Sequence, residues 1–454
     1  MGLSVRKNLM SLVVLFLALF PLAACSSGGG SGAVPSVADG KSPSAAGQPA
    51  AQAVPINEPA TITFQARNAM DEADFNQMYG DAIRKKFPNY TVIYKKIENG
   101  SKLDQMLVAG QTSDIYAQNA RKLGIDLVGP KLQYDVTELA KKHNVNMGAF
   151  EPDSIDQIKQ IGGLYGLPVY SSLVVLFYNK DLFDKFGVAY PKDGMTWDQA
   201  LELSKKLNRT EDGKSYVGYW VDTKLYLRNN QLSASFVDPK TSKATLNNDS
   251  WKRIIQTVFR DFGANDQFQS MISKWPSRDI FLKDKIVAMY AEDFAKTFSD
   301  TEFTQMNWDM VSLPTFKELP NVGSQATCEY LTIPAFSKQK DAAMEVIKYL
   351  TSVEFQTSIS KQGFISSITD DSVRKALGQG TAFKDKNLKA IYVNKIAKYG
   401  SISPYDDIVA DDVLDKKDLR EMVAGAVDVN TGLRNAEESA NAKIAATQGA
   451  DKGK

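Results

Sequence analysis

Few side chains in this sequence are equipped for covalent chemistry. There is one histidine, His143, and two cysteines, Cys25 and Cys328. Such a set builds neither a histidine metal cluster nor a thiolate metal site nor a disulfide framework. No nucleophile elbow, phosphate-cradling loop or metal-binding helix motif is present, so no cofactor and no metal are expected. The charge is balanced, with 54 basic and 53 acidic residues, and lacks the basic excess of a nucleic-acid binder. What remains is hydrogen-bonding chemistry. Glu292 and Asp293 place two carboxylates side by side at the end of an apolar run, suited to polar or cationic groups. His143, within Lys141-Lys142-His143-Asn144, reads as a solvated helix end. Cys328, before an apolar strand, reads as a small buried hydrophobe. The acidic run Asp406, Asp407, Asp411, Asp412 and Asp415 lacks the glycine-punctuated alternation of a calcium loop and reads as a solvated face.

The elements that would position such groups follow from periodicity. Thr61 to Ala66 alternates as a strand, and Asp71 to Phe87 carries Phe75, Met78, Tyr79, Ala82 and Ile83 at helical spacing. Tyr90 to Ile97 predicts a second strand, Ser101 to Ala109 a short helix, and Ser113 to Ala117 a third strand. Strand–helix alternation with short links implies right-handed crossovers and a parallel sheet flanked by helices. Ligands of such sheets bind beyond the carboxyl ends of the strands. That rule selects Arg67 and Asn68, then Glu98 and Asn99, then Tyr116, Gln118 and Asn119. Further on, Val169 to Tyr178 is a long β-rich run, suited to carrying the chain from one α/β lobe into another.

The N-terminus reads as an address. Arg6 and Lys7 precede an apolar run from Leu9 to Leu22. Its roughly 14 residues describe a signal peptide and fall short of the ~20 that a spanning helix needs. Leu22-Ala23-Ala24-Cys25 resembles the bacterial lipobox. It implies a cleaved segment 1–24, lipidation at Cys25, and placement on the extracellular face of the cell membrane. Residues 25–57, rich in Ser, Gly, Ala and Pro, are expected to form a disordered tether.

A broader resemblance emerges further along. Tyr165-Gly166-Leu167-Pro168-Val169-Tyr170, Leu176-Phe177-Tyr178-Asn179-Lys180-Asp181-Leu182-Phe183 and Thr196-Trp197-Asp198 resemble the solute-binding proteins of ABC importers. The branch they are similar to contains the maltodextrin-binding proteins. Phe281 to Tyr290, Trp308 to Pro314, Leu331 to Pro334 and Thr351-Ser352-Val353-Glu354-Phe355 continue the likeness in order. In the last of these, Thr351 and Glu354 predict a capping box. The sequence departs from that family at Ala291-Glu292-Asp293-Phe294, where an aromatic wall is usual, and at Gln65-Ala66-Arg67-Asn68, where sugar binders commonly carry tryptophan.

The resemblance implies a two-lobe α/β fold of the periplasmic-binding-protein type II class, each lobe a mainly parallel sheet flanked by helices, with ligand between the lobes. The expected division is 58–168 with 284–328 for lobe one, and 169–283 with 329–454 for lobe two. The implied function is capture of a sugar or oligosaccharide by a monomer, without catalysis, and its delivery to an ABC permease. A sugar offers apolar C–H faces and a rim of hydroxyls, which calls for aromatic platforms edged by polar groups. Trp220 and Trp275, next to polar loops, are the expected platforms, with Trp197 and Trp251 in the core. Tyr170 and Ser171 on the crossover, Glu292, Asp293, Asn119, Arg67 and Asn68 complete the expected site. The competing readings are a lipid-anchored carbohydrate-active enzyme, for which paired carboxylates could serve, and a ligand-presenting sensor.

Overall fold

The computed structural model of the protein describes residues 58–66, 70–97, 103–108, 110, 112–295, 297 and 301–452. The expected signal segment, Cys25, the tether, Arg67, Asn68, Glu98 and Asn99 lie outside the described residues.

Thirteen strands occur among them. β1 (Ala60–Ala66), β2 (Tyr90–Tyr94), β3 (Ile115–Asn119) and β4 (Leu167–Ser172) come first. They are followed by β5 (Val174–Asn179), β6 (Arg209–Glu211), β7 (Lys214–Val221), β8 (Val237–Asp238) and β9 (Lys243–Ala244). β10 (Val287–Asp293), β11 (Trp308–Val311), β12 (Thr327–Thr332) and β13 (Ile365–Ser366) complete the set. Two sheets organise the chain, one in the order β13-β4-β12-β3-β1-β2 and the other in the order β11-β5-β10-β7-β6. β8 and β9 pair separately. In the first sheet β1, β2, β3 and β4 share one direction while β12 and β13 oppose them; in the second, β7, β10 and β11 run together against β5 and β6.

Local sequence explains these elements. In the helical run 72–86, Asp71 Oδ1 accepts the Asp74 amide at 2.9 Å and caps the start. Phe75, Tyr79 and Ile83, spaced by one helical turn, are all buried against the sheet. Phe64 of β1 meets Phe75 and Tyr79 at ring-centroid distances of 5.1 and 5.3 Å. β5 is buried along its whole length, and its unbroken apolar run follows from covering on both faces. The helix Trp197–Leu207 opens with a capping box between Thr196 and Gln199.

The chain crosses between lobes three times. β4 leads through Leu173 directly into β5, as the Val169 to Tyr178 run predicts. The second crossing joins β11 to β12. The third lies between the helix Asp371–Lys375, packed on the first sheet, and residues 387–392 beside β11, where the Asn387 amide donates to Asp309 Oδ1 at 2.9 Å.

This corrects the expected lobe boundaries. β10 and β11, assigned to lobe one by sequence, pair with β5 and β7 in the second sheet. β12, assigned mostly to lobe two, lies between β3 and β4 in the first. Lobe one is therefore about 58–172 with 327–377, and lobe two about 174–326 with 388–452. An apolar strand looks the same in sequence whichever sheet receives it. The expected capping box at Thr351 is also displaced. Ser352 caps the helix Val353–Lys361, while Thr351 ends the preceding helix with its hydroxyl donating to Ile347 O at 3.0 Å. Glu354 instead accepts from Lys86 at 2.8 Å.

Candidate functional site

The carboxyl ends of β1, β3 and β4 in lobe one face those of β7, β10 and β11 in lobe two, and two cavities open at this junction. The first, of about 260 Å³, draws on both lobes. Asn119, Arg121 and Gln157 come from lobe one; Arg228, Asn229, Ser235, Phe236, Asp293, Tyr399 and Asp406 come from lobe two. The second, of about 520 Å³, is lined by Met70, Met78, Tyr170, Ser171, Phe364 and Ile365 of lobe one with Phe294 and Ala295 after β10. Ser172 Oγ donates to Asp293 Oδ1, tying the end of β4 to the end of β10. The first cavity takes Asp293 and the second takes its successors, so this contact lies where the two meet.

Electrostatics distinguish the first cavity. Arg121 and Lys122 lie in the first turn after β3, positioned by Asn119, whose Oδ1 accepts the Lys122 amide at 3.0 Å. Both reach Asp407 of lobe two, Arg121 through Nη1 and Lys122 through Nζ at 2.8 Å. Arg228, the last residue of the helix Thr223–Arg228, donates to the same carboxylate at 2.9 Å and to Asp411 at 2.7 Å. Burial pushes the Asp407 carboxyl up, but the Arg121 charge, the hydrogen bonds from Lys122 and Arg121 and the Arg228 charge outweigh it and hold the pKa down at about 2. Its neighbour Asp406 behaves in the opposite way, since burial lifts its carboxyl to about 7. Asp406 Oδ2 accepts the Ser403 amide at 2.9 Å, while Oδ1 is buried without a hydrogen-bond partner, as is Arg228 Nη1. Two polar atoms of cavity-lining residues are thus left unmatched at a site that already spans both lobes.

The structure sorts the residues singled out by sequence. Asn119 and Asp293 line the first cavity, and Tyr170 and Ser171 the second. Tyr116 and Gln118 are engaged internally. The Tyr116 hydroxyl donates to Asp126 at 2.7 Å, and Gln118 Oε1 accepts the Asn119 amide at 2.8 Å. Glu292 borders neither cavity. It is buried, takes the Tyr290 hydroxyl at 2.9 Å, faces Arg278 at 3.7 Å, and is pushed up to about 7 first by burial and then by Asp222.

Both expected platforms are core residues. Trp220 is fully buried on β7, packs on Phe268 at 4.8 Å and donates its indole N–H to Ser277 O at 3.1 Å. Trp275 is 3% exposed, with Phe268 and Phe259 at 5.9 and 6.2 Å. All five tryptophans are buried. A polar loop beside a tryptophan did not mark an exposed ring: the end of the central strand β7 is covered on both faces at Trp220, and Trp275, after a short helical turn, is turned inward onto Phe259 and Phe268.

Two further expectations are corrected. His143 is buried rather than solvated, with Nδ1 2.6 Å from Glu345 and Nε2 2.7 Å from Asp341. The acidic run is an ion-pair and hydrogen-bond network rather than a solvated face. Beyond Asp406, Asp407 and Asp411, Asp415 accepts from the Thr223 hydroxyl. Cys328 is buried, as read from sequence, and burial raises its thiol to about 11. Arg121, Arg228 and Asp406 escaped the sequence reading as site residues. Extending the strand-end rule by two residues past Asn119 would have reached Arg121, while no sequence signal marks Arg228.

Comparison with known proteins gives these findings a context. The arabinooligosaccharide-binding protein of Bacillus subtilis is 27% identical over 203 residues, 43% of this chain and 46% of that protein. The mannitol-binding protein of Pseudomonas aeruginosa is 36% identical over 63 residues, 14% of each. The chain thus spans less than half the length of these curated relatives. The structure of the ABC substrate-binding protein Lmo0181 from Listeria monocytogenes in complex with cycloalternan superposes with a TM-score of 0.67 at 17% identity, over 86% of this chain and 100% of that one. It shares the two-lobe fold. The family described as bacterial extracellular solute-binding protein matches residues 68–357, more than half of the chain, and the protein belongs to that family.

Proposed function

We propose that the protein captures a sugar, oligosaccharide or polyol between its lobes and hands it to an ABC permease in the membrane. The observation that carries this reading is the first cavity. The amide side chains of Asn119 and Gln157 from one lobe and of Asn229 from the other, with the Ser235 hydroxyl, belong to residues that line it. Such a rim matches a polyhydroxylated solute, whose every hydroxyl both donates and accepts. A ligand touching both lobes favours the closed form, and the permease would then read closure as occupancy. The partial relatives named for arabinooligosaccharides and mannitol support the same class. The Leu22-Ala23-Ala24-Cys25 motif supports lipidation at Cys25, which would hold the protein at the extracellular face.

The burial of all five tryptophans shifts recognition from stacking towards hydrogen bonding, with Phe236 and Tyr399 the aromatic residues of this cavity. A thermal-shift screen of the full-length protein across sugars, polyols, amines and peptides tests the proposal, since a tight ligand raises Tm by mass action. Sugars or polyols are expected to give the largest shifts; a shift only with amines or peptides would overturn the ligand class. A second reading rests on Asp293 and Asp406 lining one cavity, with Asp406 held up at about 7, a pairing that acid–base hydrolysis could use. Product formation on prolonged incubation with arabino-oligosaccharides would favour that reading over binding alone.

A further inference from the structure

We propose that Asp407 fastens the two lobes together and reserves the cleft for uncharged solutes. Three cations converge on this one carboxylate: Arg121 and Lys122 from lobe one, and Arg228 from lobe two. Only Arg228 has a second carboxylate, Asp411 at 2.7 Å. If Asp407 carried no charge, Arg121 and Lys122 would face Arg228 across the junction, and like charges at such separations repel. The carboxylate therefore turns a repulsive contact between lobes into an attractive one. Its side chain is 28% exposed and those of the three cations 20–30%, so the cluster is partly screened and should loosen as salt rises.

Selectivity follows from the same contacts, given the reading of the first cavity as the ligand site. Arg121 and Arg228 line that cavity, but their charge is already compensated from behind by Asp407. An anionic solute would compete with Asp407 for Arg121 and Arg228 and leave this partly buried carboxylate with Lys122 alone, which is costly. An uncharged polyol needs no such displacement, because its hydroxyls can bond the neutral polar residues of the same wall, Asn119, Gln157, Asn229 and Ser235, without a countercharge. The strongly lowered pKa of Asp407 keeps it ionised across the physiological range.

The test uses Asp407→Asn, which keeps shape and removes charge, in the full-length protein. Calorimetric titration with glucitol and with gluconate, which differ by one carboxylate, is run at about 50 and about 500 mM NaCl, conditions chosen to vary screening. The variant is expected to bind gluconate about tenfold or more tightly than the wild type, with the gain lost at high salt. Small-angle scattering supplies a readout that needs no ligand. The wild-type radius of gyration should rise with salt, and that of Asp407→Asn should already be larger at low salt.

Wild-type binding of gluconate as tight as that of glucitol would overturn the proposal, as would a folded variant with no gain for gluconate. If the variant does not fold, the wild-type salt series decides, and a radius of gyration unmoved by salt counts against the fastening. Failure of the sugar reading is distinguishable. There, no sugar or polyol binds the wild type, while the scattering series still reports on Asp407.

Discussion

The two cavities at the junction of the lobes differ in kind. The first is bounded by both lobes, carries Arg121, Arg228, Asp293 and Asp406, and is edged by amides. The second is bounded chiefly by lobe one and presents Met70, Met78, Tyr170 and Phe364 together with Asp74, Gln77 and Gln362, with the Tyr170 and Phe364 rings 5.2 Å apart. The larger space is thus the one less able to sense closure, since most of its wall moves as one body. The smaller one, bounded by both lobes, changes shape whenever they move. In a clamp, ligand-dependent work belongs to the surface that both halves share, and volume alone is a poor guide to it.

Several substitutions would break or sharpen this contrast. The largest effect is expected on stability alone. Trp220→Ala should cost about 3–5 kcal/mol in denaturant unfolding, the usual range for a buried aromatic, with sugar affinity of the folded fraction unchanged; a large loss of affinity at unchanged stability would return Trp220 to the ligand site. Next, Arg228→Gln should weaken sugar binding about 30- to 100-fold, because it deletes a charged donor of the first cavity, removes one of the three cations on Asp407 and takes the Arg228 ion pair from Asp411. Calorimetry on the folded variant checks this.

The pH dependence comes third. Asp406 and Glu292 both rise to about 7 from reference values of 3.8 and 4.5. Between those limits the folded state holds more protons than the unfolded one, so stability should fall as pH rises from about 4 to about 7, by at most about 1.4 kcal/mol per pH unit for each group. Asp406→Asn should flatten this slope in a series of melting curves. Asp407 has the opposite sign, since its contribution is present above 3.8 and is lost as pH falls towards about 2. Smallest of all, Phe364→Ala in the second cavity should alter sugar affinity less than about twofold, within the range of a non-contacting site. A larger change would show that the ligand reaches across the Ser172–Asp293 contact.

The sequence carried the fold further than the site. The alternation of strands and helices up to Asn119 and the apolar run over the first crossing were readable because burial on one or both faces leaves a periodic or continuous pattern. The lobe boundaries were not, since β10 and β12 both read as strands and nothing local says which sheet will take them. Strand ends led to Asn119 and Asp293, which line the first cavity, while the crossover led to Tyr170 and Ser171, which line the second. Trp220 and Trp275 misled because the side a ring faces depends on packing partners such as Phe268. Asp407 looked solvated because its cations at Arg121, Lys122 and Arg228 are more than 170 residues away in the chain. His143 concealed its carboxylates in the same way, Asp341 and Glu345 being about 200 residues distant.

The central claim, that a sugar is clamped by both lobes through the first cavity, is tested most directly by small-angle scattering of the wild type and Arg228→Gln with the sugar that gives the largest thermal shift. The account predicts that the wild-type radius of gyration contracts as that sugar saturates it, while the variant at the same concentration does not contract. A wild-type curve unchanged at saturation, or equal contraction in both proteins, would contradict it.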